Sequence, residues 1–297
     1  MTNASSKGRA VVFGGSGFLG GHIADRLCEQ GYSTVIADLA PSAYLRREQQ
    51  FVQCDVLDYE KVGRIVEGAD IVYNTAAIAD IEEAAQNPLS TVRVNILGTT
   101  HILEACRLHQ VKRFLFASTV YVFSHRGSFY RSSKQACEKI IENYHEQFGL
   151  DFTILRYGSL YGPRASETNS LRRYVRQALE SGKIRRTGDG EELREYIHVL
   201  DAAESSVEAI SDEFKNRYLL ITGMQPLKVK EVLGMIREIM GQKISIEYLP
   251  ALETSHYELT PYSFRPESAH RLVMKRYYDL GQGLFDLLHE IQAELGR

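Results

Sequence analysis

Tyr130 and Lys134 stand four residues apart in Tyr130-Arg131-Ser132-Ser133-Lys134, at the start of a stretch with helical spacing. That spacing sets both side chains on one helix face, one turn apart. A phenol titrates near 10, so using it as a base at neutral pH means lowering that value by about three units, roughly 4 kcal/mol. The Lys134 ammonium and the positive ring of an oxidised nicotinamide are two charges of the required sign. A surface Tyr–Lys pair is the plain alternative, because the pattern is common by chance.

A second group of residues would bring such a ring. Gly14-Gly15-Ser16-Gly17-Phe18-Leu19-Gly20 follows a short apolar strand and leads into His22–Leu27, which has helical spacing. Gly14 permits a sharp turn, Gly17 lets backbone N–H groups approach a pyrophosphate, and Gly20 lets helix and strand pack closely. The helix N-terminus, with Phe18 and Leu19 beside it, then faces the anion. The spacing is GxxGxxG where the dinucleotide fingerprint is GxGxxG, so the strand before and the helix after are what strengthen it. Asp38 ends Val35-Ile36-Ala37-Asp38, eighteen residues past Gly20. A carboxylate there accepts the ribose hydroxyls of NAD and repels the 2′-phosphate of NADP, which makes NAD the expected cofactor. Arg46 and Arg47 would soften that preference if they folded back; a solvated helix face is their alternative home. Asp55-Val56 and Asn74-Thr75-Ala76-Ala77 close two further strands, at the ends where open α/β sheets hold their ligands. Ala76 is small enough to let a cofactor pass close by, and plain packing would explain it as well.

The elements that must position these groups follow from periodicity. Short β-branched runs at Ala10–Phe13, Thr34–Ala37, Phe51–Cys54, Ile71–Asn74, Arg113–Ser118 and Phe152–Arg156 alternate with amphipathic segments near 18–30, 58–66, 88–109 and 131–148. Strict alternation predicts an α/β fold, a doubly wound parallel sheet of the Rossmann type with helices on both faces. After Gly162-Pro163 the rhythm changes to longer helices with short strands at Tyr218–Ile221 and Ile244–Tyr248 and a tail helix near 279–295. We therefore expect residues 1–164 to be mainly an NAD-binding domain and 165–297 mainly a smaller α-rich substrate region, with segments crossing between them.

Composition narrows the function classes. At 297 residues, 44% hydrophobic, 25% charged and a net charge of −3, the chain is an ordinary globular one with no basic field to draw in nucleic acid or an anionic membrane. No apolar stretch nears the roughly 20 residues of a membrane span, and MTNASSKG has no apolar signal core, so a cytoplasmic location is expected. Cys28, Cys54, Cys106 and Cys137 are scattered without metal-ligand spacing, which predicts free thiols and no metal.

Taken in order, the glycine loop, Asp38, Asp55-Val56, Tyr130-x-x-x-Lys134, Leu155-Arg156-Tyr157-Gly158-Ser159-Leu160-Tyr161-Gly162-Pro163-Arg164 and Arg194-Glu195-Tyr196-Ile197-His198-Val199-x-Asp201 resemble the extended short-chain dehydrogenase/reductases. The nearest likeness is to the nucleotide-sugar epimerases and dehydratases. The resemblance implies that Tyr130 is the catalytic base and Lys134 its ribose-binding partner, with a Ser or Thr after the fifth strand completing the set. Thr119 is the match when aligned without a gap, and Ser118 the runner-up. It also implies cofactor contacts at Asn74, Ala76 and Tyr157, and places Arg194 and Arg265 on the substrate diphosphate. Three departures bear on the substrate: Thr119 and Tyr130 are only eleven positions apart, Asn74 stands where His is common, and Ser159 where Asn is common.

Dehydratases of this kind carry Thr-Asp-Glu where this chain has Thr119-Val120-Tyr121, and decarboxylases also tend to carry a Glu. Without those carboxylates, oxidation and reduction at one carbinol remain. The resemblance thus implies an NAD-dependent nucleoside-diphosphate-sugar epimerase, acting at C4 through a transient 4-keto sugar and paired as a homodimer through the helices at 88–109 and 131–148. A net dehydrogenase or ketoreductase of a sugar or other alcohol, and a catalytically silent NAD-binding protein, are the alternatives. Tyr121 fills the dehydratase glutamate position, where its phenol would donate a proton or hydrogen bond to the sugar, or would simply be a packed aromatic.

Overall fold

The structure, a computed structural model, describes residues 7–250, 270–272 and 277–296. Its centre is a parallel sheet in the order Gln50–Gln53 (β3), Ser33–Asp38 (β2), Arg9–Phe13 (β1), Ile71–Asn74 (β4), Arg113–Thr119 (β5), Phe152–Tyr157 (β6) and Arg217–Ile221, with a two-residue pairing at His270–Arg271 on the far edge. The order reverses between β1 and β4, which opens a crevice at the carboxyl ends of those strands. All six strands expected from the first half of the sequence are present, and the fold is the doubly wound one.

Two-residue alternation along the strands builds both core layers. Val11 and Phe13 pack with Val62, Ile102, Leu103 and Cys137 of one helix layer, while Ala10 and Val12 pack with Ile23, Ala24, Leu27 and Ala203 of the other. Each large side chain taken fully out of water contributes about 1.5–3 kcal/mol, so the unbroken apolar runs of β1 and β2 are what hold both layers to the sheet. A third core, of Leu171, Tyr174, Ile184, Val232, Leu233, Leu284 and Leu287 among others, lies beyond Tyr161.

The expected helix at 88–109 is interrupted: a short turn at Pro88–Thr91 and a π-helical segment at Val92–Leu97 precede the α-helix Gly98–Leu108. The helix expected from 131 begins at Ser128 and runs to Phe148. Tyr218–Ile221, assigned from the sequence to the smaller region, belongs to the main sheet, because Leu219 and Ile221 are buried in the same layer as Leu155 and pair with β6 residue for residue. The other tail strand, Ser245–Leu249, pairs with Lys183–Thr187, and the tail helix spans Leu280–Glu294. No helix among the described residues is long and apolar enough to cross a membrane. The four cysteines are free, three of them buried.

Candidate active site

Three glycines shape the turn from β1 into the Phe18–Glu29 helix. Gly14 has φ +76°, a left-handed conformation that favours glycine, and a Cβ on it would lie 2.5 Å from the Ala76 nitrogen. A Cβ on Gly20 would lie 2.2 Å from the Gly14 carbonyl oxygen. Gly17 is the N-cap and offers no side chain to the first-turn N–H groups. The buried Ser16 hydroxyl has no partner among the described residues either. Open amides, an unused hydroxyl and a surface free of Cβ atoms fit an anionic dinucleotide.

Asp38 stands at the end of β2 and ties that strand to the loop: its carboxylate accepts from the Ser16 N–H (2.9 Å) and the Leu39 N–H (2.7 Å). Arg46 and Arg47 do not share a helix face, since the chain from 39 to 49 is irregular. Arg46 instead pairs with Asp25 (3.0 Å) and Glu29 (2.9 Å) on the Phe18–Glu29 helix, and Arg47 is exposed. Asn74 is buried and spent on its neighbours, donating to Thr99 (2.9 Å) and accepting from the Ala76 N–H (3.1 Å). Asp55 is exposed and caps its own turn at Leu57, and Val56 is buried against Gly98.

The proton-transfer candidates come together at the end of β5. Gly127 and Ser128 both have left-handed φ and turn the chain into its helix, so Tyr130 sits in the first turn and Lys134 one turn on. Thr119 accepts from the Tyr121 N–H (3.2 Å), which leaves its own proton for the Tyr130 phenol, whose pKa its hydroxyl works to lower. Lys134 is buried, donates to the Ala117 carbonyl (2.7 Å), and has its ammonium 5.9 Å from the Tyr130 ring centre. Ser118 faces away: its hydroxyl donates to Glu138 (2.6 Å). Of the two hydroxyls at this strand end, Ser118 is taken by Glu138 and Thr119 is the one that acts on the phenol.

Burial dominates the electrostatics of the pair. Burial pushes the Tyr130 phenol up to about 12, against which the Thr119 hydrogen bond works. Burial also lowers Lys134 to about 8, partly offset by Cys137 and Glu138. At neutral pH the phenol is therefore protonated, and Lys134 alone does not bring it into the range of a base. The remaining positive charge has to come with the bound ligand.

Between Thr119 and Tyr130 the short connection is a 3₁₀ turn, Val120–Phe123, tied to the helix by Gln135 donating to the Val122 carbonyl (2.7 Å) and Arg131 to that of Ser124 (3.1 Å). Tyr121 is half-buried, packs with Val120 and Leu220, and leaves no room for a Cβ at Gly127. Tyr157, given a cofactor contact by the resemblance, has its side chain in the sheet core, where its hydroxyl bonds Ser206 (2.6 Å), so any contact would have to come through its backbone. The strand alternation that sends Arg156 to one face sends Tyr157 to the other, into that core. Sequence reasoning missed Ser16, Asn95 and Glu138. Asn95, in the π-helical segment, bonds Ile78 and Ser133, the residue just before Lys134. Glu138 could have been found by its position one further turn beyond Lys134.

Arg194 is buried in a two-stranded antiparallel pairing with Leu227 and donates to the Leu193 carbonyl (2.7 Å). Arg265 lies outside the described residues. A cavity of about 1230 Å³ lies between the Phe18–Glu29 and Val199–Glu208 helices, and Tyr130 and Lys134 do not line it. Its mixed charged lining suits solvent better than an apolar ligand.

His198 caps the Val199–Glu208 helix by accepting from the Leu200 N–H (3.3 Å), and its ring stacks on Tyr278 at 4.1 Å. Burial pushes it down to about 4 from the ordinary 6.5. The folded value is the depressed one, so this contribution to stability is full above 6.5 and is lost as pH falls through 4, about 3 kcal/mol in all. His198→Gln is expected to flatten the acid limb of stability across that window in urea titrations; an unchanged limb would assign it to other groups.

A family model described as the NAD dependent epimerase/dehydratase family matches residues 10–219, well over half of the chain. UDP-glucuronate 4-epimerase of Thermodesulfobacterium geofontis is 25% identical over 270 residues, 82% of this chain and 84% of that one. UDP-N-acetyl-alpha-D-glucosaminuronate decarboxylase of Bacillus cytotoxicus is 27% identical over 271 residues, 82% and 84% of the two chains. The crystal structure of UDP-glucose 4-epimerase from Thermotoga maritima with UDP-glucose superposes with a TM-score of 0.83 at 24% identity, covering 97% of this chain and 99% of that one. The chain belongs to the NAD-dependent epimerase/dehydratase family.

Proposed function

We propose that the protein is a C4 epimerase of nucleoside-diphosphate sugars, acting through a transient 4-keto sugar. The observation that carries this reading is the meeting of Thr119, Tyr130 and Lys134 at the carboxyl end of β5, the same end of the sheet as the glycine loop, with Val120 and Tyr121 following Thr119 where an elimination would need acids. Relatives include both 4-epimerases and a decarboxylase, and the missing carboxylates favour the former.

Bound NAD supplies the reversible hydride acceptor. Tyr130 takes the proton of the sugar 4-hydroxyl and returns one after the sugar has turned over. Thr119 holds the phenol oxygen and, with it, the reacting hydroxyl. Lys134 supplies positive charge beneath the phenol and donors for the nicotinamide ribose. Gly14, Gly17, Phe18, Leu19, Gly20, Asp38, Asp55, Val56, Asn74 and Ala76 form the cofactor wall, so residues 1–164 serve mainly NAD. The substrate falls to 165–297, where Arg194 and Arg265 hold the diphosphate, and to Tyr121 as a wall of the sugar pocket. We also read the assembly as a homodimer, supported by exposed apolar side chains on the 88–108 and 128–148 helices such as Leu89, Leu97, Phe129 and Phe148. A cytoplasmic setting suits the four free thiols.

The test is to incubate the protein with NAD and, separately, UDP-glucose, UDP-glucuronate and UDP-N-acetylglucosamine, and to follow the sugar protons by NMR. One of the three should be converted to its C4 epimer without net NADH; loss of carbon dioxide or water, or accumulation of NADH, would refute the reading. Asp38 is expected to set cofactor choice. Asp38→Ser should weaken NAD by about 1.5–3 kcal/mol, the scale of a hydrogen bond to a charged group, and narrow its advantage over NADP. Calorimetry with both cofactors checks this, and equal affinities in the unaltered protein would contradict it.

A further inference from the structure

Behind the candidate proton-transfer set lies a buried ion pair that no step of the reaction uses. Glu138 sits one helical turn past Lys134, and Arg156 reaches it from β6 with Nε donating to Oε1 (3.0 Å) and Nη2 to Oε2 (2.7 Å). Glu138 is 5% exposed and Arg156 8%. Both charges are thus taken from water and must be held by their contacts, and a two-pronged guanidinium–carboxylate pairing is the geometry that does this best.

The contacts of this pair are not those of a simple core staple. The first carboxylate oxygen also takes the Ser118 hydroxyl (2.6 Å), and Ser118 is the residue before Thr119 and the direct neighbour of Arg156 across the β5–β6 ladder. The Arg156 guanidinium lies between two rings, 4.6 Å from the centre of Phe123 and 4.3 Å from that of Tyr218. Phe123 ends the 3₁₀ turn that follows Thr119. Glu138 and Arg156 therefore join the helix bearing Tyr130 and Lys134, the strand end bearing Thr119, and the turn bearing Tyr121.

We propose that Glu138, clamped by Arg156 and Ser118, is a positioning residue that fixes the Thr119 hydroxyl against the helix carrying Tyr130. The proposal rests on reading Thr119, Tyr130 and Lys134 as the proton-transfer set. It has an electrostatic side as well. The groups facing Lys134 are the Cys137 thiol and the Glu138 carboxylate on its own helix, the Tyr130 ring, and the Phe116 ring and Ala117 carbonyl of β5, with Arg156 of β6 behind Glu138. Glu138 is the carboxylate of this group, and it favours the charged form of Lys134. Removing its charge would also leave Arg156 uncompensated, and both changes make Lys134 easier to deprotonate.

The experiment compares Glu138→Gln, Ser118→Ala and Tyr130→Phe. In cofactor-free protein carrying lysine isotope-labelled at Cε, Lys134 is followed by NMR through a pH titration. It should titrate at lower pH in Glu138→Gln than in the unaltered protein and unchanged in Ser118→Ala. With NAD and the UDP-sugar that the unaltered protein converts, both variants should lose about tenfold to a hundredfold in kcat at unchanged KM, the scale of a misplaced reacting group. A folded Glu138→Gln protein with the same Lys134 midpoint and the same kcat would overturn the proposal and leave an ordinary core ion pair. Should Glu138→Gln fail to fold, Ser118→Ala decides: a lower kcat supports the clamp and an unchanged one refutes it. Tyr130→Phe separates the two layers. Full activity there removes the reading of the proton-transfer set itself, whereas an inactive Tyr130→Phe beside normal Ser118→Ala and Glu138→Gln removes only the clamp.

Discussion

Tyr130→Phe is expected to lower turnover at least about a hundredfold, the usual scale for a lost general base, while NAD affinity and melting temperature stay close to those of the unaltered protein. The ring remains and with it the packing against the first helical turn; what is lost is the hydroxyl that Thr119 contacts. The expectation is sharp because Lys134 donates its ammonium to the Ala117 carbonyl and Thr119 accepts from the Tyr121 N–H, so neither is placed to take the sugar proton in place of Tyr130. Steady-state kinetics beside calorimetric NAD binding checks it. Near-normal turnover would mean that the proton leaves by another route.

Gly20→Ala should be strongly damaging to the cofactor turn. Its Cβ would lie 2.2 Å from the Gly14 carbonyl oxygen and 2.5 Å from the Thr75 hydroxyl, both fixed: Gly14 by its left-handed turn, Thr75 by donating to the Phe13 carbonyl (2.7 Å). The helix must slide off the strand to relieve the contact, at a cost of about 1–3 kcal/mol or more, typical of overpacking in a filled core. The same slide moves the first-turn amides, so NAD affinity should fall at least about a hundredfold, because those donors work only when aimed at the phosphates. Gly63→Ala, where a Cβ meets nothing within 4 Å, is the matched control and should be nearly silent. A Gly20→Ala protein that binds NAD normally would show that the turn is only structural.

What was legible in the sequence was whatever one element carries by itself. The unbroken apolar runs of β1 and β2, the glycines at 14, 17 and 20, the acid closing β2 and the four-residue spacing of Tyr130 and Lys134 are all local patterns, and the structure has each of these elements where it was expected. What could not be read depended on a partner far along the chain. The choice between Ser118 and Thr119 turns on Glu138 and Arg156, twenty and thirty-eight residues beyond Ser118, which draw one of two adjacent hydroxyls away. Arg46 is held by Asp25 and Glu29 of an earlier helix. Tyr157 belongs to a motif that suggests a ligand contact, yet strand alternation sends its ring into the core beside Ser206. The early helix start at Ser128 depends on two consecutive left-handed residues, one of them a serine, for which composition gives no warning.

In the proposed reaction a hydride leaves and returns to one sugar carbon without visiting the solvent, while the proton on the neighbouring oxygen passes through Tyr130. It is tested most directly by running the conversion in deuterium oxide with NAD and the UDP-sugar substrate, and reading the C4 epimer by proton NMR. The product should keep an ordinary hydrogen at C4, because only the hydroxyl proton exchanges with the medium. Deuterium at C4, or a product that has lost water or carbon dioxide, would contradict it.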